Sequence, residues 1–121
     1  MKTLCLLTAL LMMSSTQVLA KDIMVGNLRM DATIIDVRTI AEYSAGHIDG
    51  AINVPVEQLE AGIAQVPGLK KNAQILVYCH SGRRSAIAKG ALEKLGFQKI
   101  HDGGGMEPLR KNLKSCSVAS C

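Results

Sequence analysis

The chain has almost no aromatic side chains: its 121 residues include no tryptophan, two tyrosines and one phenylalanine. Proteins that bind single-stranded nucleic acids stack the bases on aromatic rings, so this scarcity argues against that class. The chain also lacks a large excess of positive or negative charge, since it has 14 basic and 10 acidic residues and no run of like charge. A protein that binds the phosphate backbone of a nucleic acid needs clustered positive charge, and we therefore expect no nucleic-acid partner.

The sequence also lacks an apolar run of the roughly 20 residues that a membrane-spanning helix needs. A shorter apolar stretch, residues 4–13, follows a basic start at Lys2 and precedes Val18 and Ala20. This order is typical of a secretory signal peptide. We expect residues 1–20 to be removed, the protein to be periplasmic, and the mature chain to have no membrane attachment. An uncleaved membrane anchor is the alternative.

The expected mature chain has the length of one small domain. We assign residues 21–110 to this domain and residues 111–121 to a polar tail that contains Cys116 and Cys121. The methionines of the mature chain lack ligand spacing, and the two tail cysteines have no histidine nearby. We therefore expect no metal site. We also expect that the protein has no cofactor and is a monomer.

Short β-branched or apolar runs alternate with helical patterns along the mature chain. The runs predict strands at residues 34–37, 52–54 and 75–78, and further strands near residues 23–25 and at Ile100. Apolar residues at helical spacing predict one helix over 56–66 and another over 88–95, which ends at Gly96. This alternation indicates an α/β fold with a largely parallel sheet and helices on both faces.

Cys79 stands at the end of the apolar strand 75–78, where parallel sheets bind their ligands. The residues that follow it, before the predicted helix, are His80, Ser81, Gly82, Arg83, Arg84 and Ser85. Gly82 permits a tight turn whose N–H groups converge on an anion, and the helix N-terminus adds positive charge. We predict that this environment lowers the pKa of the Cys79 thiol and makes it a nucleophile toward an anionic substrate. A buried, inert cysteine is the alternative.

The spacing of the arginines distinguishes two kinds of cysteine enzyme. Cysteine phosphatases place an arginine six positions after the nucleophile, where it holds the phosphate. Here the sixth position is Ser85 and Arg84 lies one place too early. The shorter loop favours a sulfur-centred anion over a phosphoryl group. His80 directly follows Cys79, and we interpret it as a residue at the rim of the site rather than as a general base.

Three segments in order resemble the rhodanese family, over about residues 34–105. They are Ile35-Asp36-Val37-Arg38 with Glu42-Tyr43, then Gly46-His47-Ile48-Asp49-Gly50-Ala51-Ile52-Asn53-Val54-Pro55, and then Val77-Tyr78-Cys79-His80-Ser81-Gly82-Arg83-Arg84-Ser85. With its signal peptide and single domain, the chain is similar to the small periplasmic thiosulfate sulfurtransferases of that family, of the phage-shock type. It departs from the family after Gly105, where a tryptophan is usual and Met106 follows instead.

The resemblance implies a rhodanese-like, five-stranded sheet and a ping-pong transfer of sulfur. Cys79 would take the outer sulfur of thiosulfate, release sulfite, and pass the sulfur from its persulfide to cyanide or a thiol. The loop residues would bind the substrate: His80, Ser81, Gly82, Arg83, Arg84 and Ser85. Apart from the resemblance, Asp36 ends a strand next to that of Cys79, so Asp36 and Arg38 are candidates to support the active site. An internal ion pair that anchors a loop is the alternative that we favour.

Two other functions remain open at this point. One is a rhodanese module that carries sulfur or binds a partner without turnover. The other is a thiol redox protein that uses Cys79 with Cys116 or Cys121. The mature chain has three cysteines, and we expect a Cys116–Cys121 disulfide that leaves Cys79 free. A resolving thiol or a metal-binding pair in the tail is the alternative.

Overall fold

The computed structural model describes residues 20–116. The predicted signal peptide, apart from Ala20, and the end of the predicted tail lie outside these residues. The strands are β1 (Lys21–Val25), β2 (Leu28–Asp36), β3 (Ile52–Asn53), β4 (Gln74–Cys79), β5 (Lys99–Gly105) and β6 (Leu113–Ser115). The α-helices are α1 (Ile40–Ala45), α2 (Leu59–Ala64), α3 (Arg83–Lys94) and α4 (Met106–Asn112), and a 3₁₀ turn, Val56–Gln58, precedes α2.

The strands form one mixed sheet in the order β5-β4-β2-β1-β6, with the short β3 also paired to β2. β2, β3, β4 and β5 run parallel, whereas β1 is antiparallel to both β2 and β6. The predicted α/β class is therefore confirmed. The described residues contain six strands rather than five, because Leu113–Ser115, which we had assigned to the tail, pairs with β1.

Both faces of the sheet are covered, and each has its own apolar core. On one face Ile35, Val37 and Val77 pack with Leu59 and Leu92, which belong to α2 and α3. The other face carries a second cluster, with Ile34, Leu76, Tyr78 and Leu109 among its members. Successive residues of β4 point to opposite faces, so its continuous apolar run is buried throughout. No helix within residues 20–116 is long and apolar enough to cross a membrane.

Candidate active site

Cys79 is the last residue of β4, where the parallel strands end. α3 begins four positions later at Arg83, and Gly82 caps it in the left-handed conformation with φ 97° and ψ −13°. Residues with a side chain rarely adopt this conformation, so a glycine is required here. The resulting turn places the N-terminus of a twelve-residue helix next to the cysteine.

Polar groups of the loop surround the Cys79 sulfur. The backbone N–H of Gly82 donates to Sγ over 2.7 Å, and the Ser85 hydroxyl oxygen lies 3.6 Å from Sγ. Burial raises the pKa of the thiol, but hydrogen bonds from the backbone and side chain of Ser85 and from the backbone of Gly82 and Ser81 act more strongly in the opposite direction. The pKa of Cys79 is therefore lowered from its ordinary value. This environment stabilises a thiolate.

The sulfur lies beneath an exposed loop. Cys79 and Ser85 have no exposed surface, whereas His80, Ser81 and Arg83 are exposed. Burial by itself matches the alternative of an inert cysteine. The hydrogen bonds to Sγ do not, because an inert buried thiol has apolar surroundings and a raised pKa.

The two arginines of the loop have different surroundings. Arg84 forms an ion pair with Glu42 of α1, with Nη1–Oε1 2.6 Å and Nη2–Oε2 3.0 Å. This hydrogen-bonded pairing with Arg84 is the main reason that the pKa of Glu42 falls to about 2. Arg83 is exposed and forms no salt bridge within residues 20–116. Arg83 therefore leaves a positive charge exposed to solvent at the start of α3.

The glycines at the end of β5 pack against the loop backbone. A Cβ atom added to Gly105 would lie 2.8 Å from the carbonyl oxygen of His80. A Cβ atom added to Gly82 would lie 3.7 Å from the Cα atom of Gly104. The absence of a side chain at Gly105 thus allows the end of β5 to lie close to the loop. The loop is held between β5 and the Glu42–Arg84 pair.

Asp36 and Arg38 form a buried ion pair beside the site. Their side chains are almost fully buried, and Arg38 Nη2 lies 2.7 Å from Asp36 Oδ2. Arg38 also donates to the carbonyl oxygen of Gly46, and the Asn53 amide donates to the carbonyl oxygens of Asp36 and Arg38. Their described hydrogen bonds do not include Cys79. The pair instead fixes the segment that leads into α1, which carries Glu42.

The tail cysteine Cys116 directly follows β6, which β2 and β1 separate from β4 in the sheet. It is disulfide-bonded, while Cys79 is a free thiol. Cys121 lies outside the described residues, so the Cys116–Cys121 pairing stays a prediction. Within residues 20–116, no three His, Cys, Asp or Glu side chains cluster as metal ligands do.

Glu42 belongs to one of the rhodanese-like sequence motifs, but its contact with Arg84 is not predicted by that motif. A local signal for α1 was present, because Thr39-Ile40-Ala41-Glu42 has the spacing of a capping box. The structure contains that box: the Thr39 hydroxyl accepts from the Glu42 N–H, and the Glu42 carboxylate accepts from the Thr39 N–H. The ion pair itself joins residues 42 positions apart, and no local pattern predicts such a contact.

Comparison with protein families matches residues 15–108 to the rhodanese-like domain. One similar protein is the thiosulfate sulfurtransferase PspE of Escherichia coli (strain K12), which is 38% identical over 76 residues, 62% of this chain and 71% of the relative. Another is the putative sulfur carrier protein YrkF of Bacillus subtilis (strain 168), 40% identical over 67 residues. That alignment spans 55% of this chain and 35% of YrkF.

Solved structures show the same fold. A rhodanese with anions from E. coli superposes with a TM-score of 0.62 at 32% identity, over 70% of this chain and 99% of that one. The human single-domain sulfurtransferase TSTD1 superposes with a TM-score of 0.54 at 28% identity, over 60% of this chain and 76% of that one.

Proposed function

This chain belongs to the rhodanese family, and we propose from this premise that it is a thiosulfate sulfurtransferase with Cys79 as the sulfur-carrying nucleophile. The observation that carries the proposal is the free Cys79 thiol at the N-terminus of α3. Its sulfur accepts a hydrogen bond of 2.7 Å from the backbone N–H of Gly82. The same N–H groups that stabilise a thiolate also stabilise the negative charge of a persulfide.

Sulfur transfer would occur in two displacements. The Cys79 thiolate attacks the outer sulfur of thiosulfate with an electron pair, and the S–S bond of thiosulfate breaks so that its pair leaves on sulfite. The outer sulfur of the new persulfide then carries the negative charge. In the second step, cyanide or a thiolate attacks that outer sulfur, thiocyanate or a new persulfide leaves, and the Cys79 thiolate returns. Neither step requires a general base, because the attacking group is a thiolate or cyanide, and the lowered pKa of Cys79 favours its thiolate form.

The loop residues would have separate roles in this reaction. The N–H groups between His80 and Ser85 would hold the transferred sulfur, and Gly82 would give the loop its shape. Exposed Arg83 would attract the donor anion, with His80 and Ser81 at the rim. Arg84, which is paired with Glu42, would hold the loop in place. Asp36 and Arg38 would support the site by fixing the segment that leads into α1.

We also propose that the protein is exported to the periplasm and loses residues 1–20. β1 begins at Lys21, directly after the expected cleavage point, and pairs with β2. Determining the N-terminal residue of the exported protein tests this. Cleavage after Ala20 is the expected result, and a chain that keeps residues 1–20 would contradict it.

Thiosulfate:cyanide activity tests the function directly. We expect the wild-type protein to form thiocyanate and the Cys79→Ser variant to form none. Cys116→Ser is the matched control, because this cysteine lies outside the proposed site, and we expect it to keep the activity. A Cys79→Ser variant with wild-type turnover would refute the proposal.

A sulfur carrier without turnover is the second candidate function, and the 40% identity to the putative sulfur carrier YrkF favours it. Such a carrier would accept one sulfur atom on Cys79 from a persulfide donor but would show negligible steady-state thiocyanate formation. A redox pair of Cys79 with Cys116 is disfavoured, because β2 and β1 lie between β4 and β6. Three strand spacings amount to about 14 Å, whereas a disulfide joins Cα atoms less than about 7 Å apart.

A further inference from the structure

The Cys79 thiol, the Ser85 hydroxyl and the backbone of Gly82 form a closed ring of hydrogen bonds. The Gly82 N–H donates to Cys79 Sγ over 2.7 Å, and the thiol donates to the Ser85 oxygen over 3.6 Å. The Ser85 hydroxyl in turn donates to the Gly82 carbonyl oxygen over 2.9 Å. Because Cys79 and Ser85 have no exposed surface, these hydrogen bonds within the loop satisfy their side-chain polar atoms.

A hydroxyl group has a single hydrogen to donate, and this limits what Ser85 can do in each state of the sulfur. While Cys79 is a thiol, Ser85 accepts from S–H and its hydrogen points to the Gly82 carbonyl. Once the sulfur is ionised, S–H no longer exists and the sulfur needs a donor. The Gly82 carbonyl oxygen still has a hydrogen-bond donor when the Ser85 hydroxyl turns away, because it also accepts a hydrogen bond of 3.3 Å from the Ala86 N–H.

We propose that the Ser85 hydroxyl is a two-position donor, which turns from the Gly82 carbonyl to the Cys79 sulfur when that sulfur becomes negatively charged. The inference rests on the proposed function only in that sulfur transfer needs this charged state. It makes Ser85 a positioning residue that acts on the sulfur from behind the loop, rather than a residue that touches the incoming donor anion.

The pH dependence of thiol alkylation tests the proposal, because the alkylation rate follows the thiolate fraction and needs no sulfur donor. In Ser85→Ala we expect the midpoint of the rate profile to move to higher pH, and the rate below the wild-type midpoint to fall about tenfold, as for a lost hydrogen bond to a charged group. Ser85→Thr keeps a hydroxyl and should restore a profile close to wild type. The Ser85 backbone N–H remains in both variants.

Thr33→Val is the matched control. It removes another buried hydroxyl, which has no hydrogen-bond partner among the described residues and lies in β2 away from the loop. We expect its alkylation profile to match wild type. A folded Ser85→Ala protein with an unchanged midpoint would overturn the proposal.

A measurement on the wild-type protein decides the question even where a Ser85 variant does not fold. The carbonyl carbon of Gly82 is deshielded by the hydrogen bond that it accepts from Ser85. The NMR resonance of this carbon should move upfield as the pH rises, with the same midpoint as thiol ionisation. A Gly82 carbonyl chemical shift that does not change over this titration would refute the two-position donor. Failure of thiosulfate to load Cys79, with the titration as expected, would overturn only the proposed function.

Discussion

The carboxylate of Glu42 holds the guanidinium of Arg84 through two parallel hydrogen bonds, 2.6 and 3.0 Å long, between α1 and the start of α3. Fork-to-fork pairing of this kind fixes direction as well as distance. It ties the loop after Cys79 to α1, which begins 39 residues before Cys79. Arg84 is therefore held in place, whereas Arg83 has no ion-pair partner in the described part of the chain.

Replacing Glu42 by glutamine should loosen the loop without removing a group from the sulfur. We expect kcat/KM for thiosulfate to fall about fivefold, the scale of one partly exposed ion pair. Steady-state kinetics at constant ionic strength measures this. Glu60→Gln, an exposed residue of α2 without a described ion pair, is the control and should keep wild-type kinetics.

The same pair should contribute to stability in a pH-dependent way. The pKa of Glu42 is about 2 in the folded protein against an ordinary 4.5. A lowered pKa means that the contribution is complete above pH 4.5 and is lost as the pH falls through 2. The free energies of unfolding of wild type and Glu42→Gln should differ most near neutral pH and converge toward pH 2. A constant difference over this range would contradict the assignment.

The exposed positive charge of Arg83 should strengthen the binding of the donor anion thiosulfate. In Arg83→Ala we expect the KM for thiosulfate to rise about tenfold with a smaller change in kcat, and the dependence of KM on salt to weaken. Arg83→Lys keeps the charge and should recover most of the affinity. Lys94→Ala, at the far end of α3, removes a charge without these effects. If KM rose equally in Arg83→Ala and Lys94→Ala, the effect would come from the net charge of the protein, and a specific role for Arg83 would be refuted.

The close contact between Gly105 and the His80 carbonyl should make Gly105 intolerant of a side chain. Its φ of −78° suits any residue, so the only obstacle to alanine is the 2.8 Å approach of the new Cβ to that oxygen. We expect Gly105→Ala to shift the loop and to lower the sulfur-loading rate more than tenfold. Gly90→Ala, within α3 and facing open space, should instead stabilise the protein by about 0.5–1 kcal/mol. Wild-type loading in Gly105→Ala would refute this account of the contact.

The buried Asp36–Arg38 pair should matter for stability more than for chemistry. Asp36→Asn leaves the Arg38 charge uncompensated in the protein interior, which costs about 3–5 kcal/mol. Chemical denaturation measures the loss, and Asp31→Asn, exposed on the same strand, is the control. A loss of less than 1 kcal/mol in Asp36→Asn would show that the pair is not a structural anchor.

The parts of the site that the sequence predicted are contiguous in the chain. β4, the loop after it and α3 could be predicted because an apolar run, a glycine and a helical pattern follow each other within residues 75–95. The contacts of Glu42 with Arg84 and of Gly105 with His80 could not, since each depends on how separate elements pack together. β6 was missed because its three residues have no strand pattern and are stabilised by pairing with β1.

The central claim, that the Cys79 sulfur is a nucleophile ready to accept a sulfur atom, is tested most directly by the intact mass of the protein after brief mixing with thiosulfate. The account predicts that wild-type protein becomes heavier by one sulfur atom, that cyanide removes this atom, and that Cys79→Ser stays unchanged. A wild-type mass that does not change, or a sulfur atom that Cys79→Ser also gains, would contradict it.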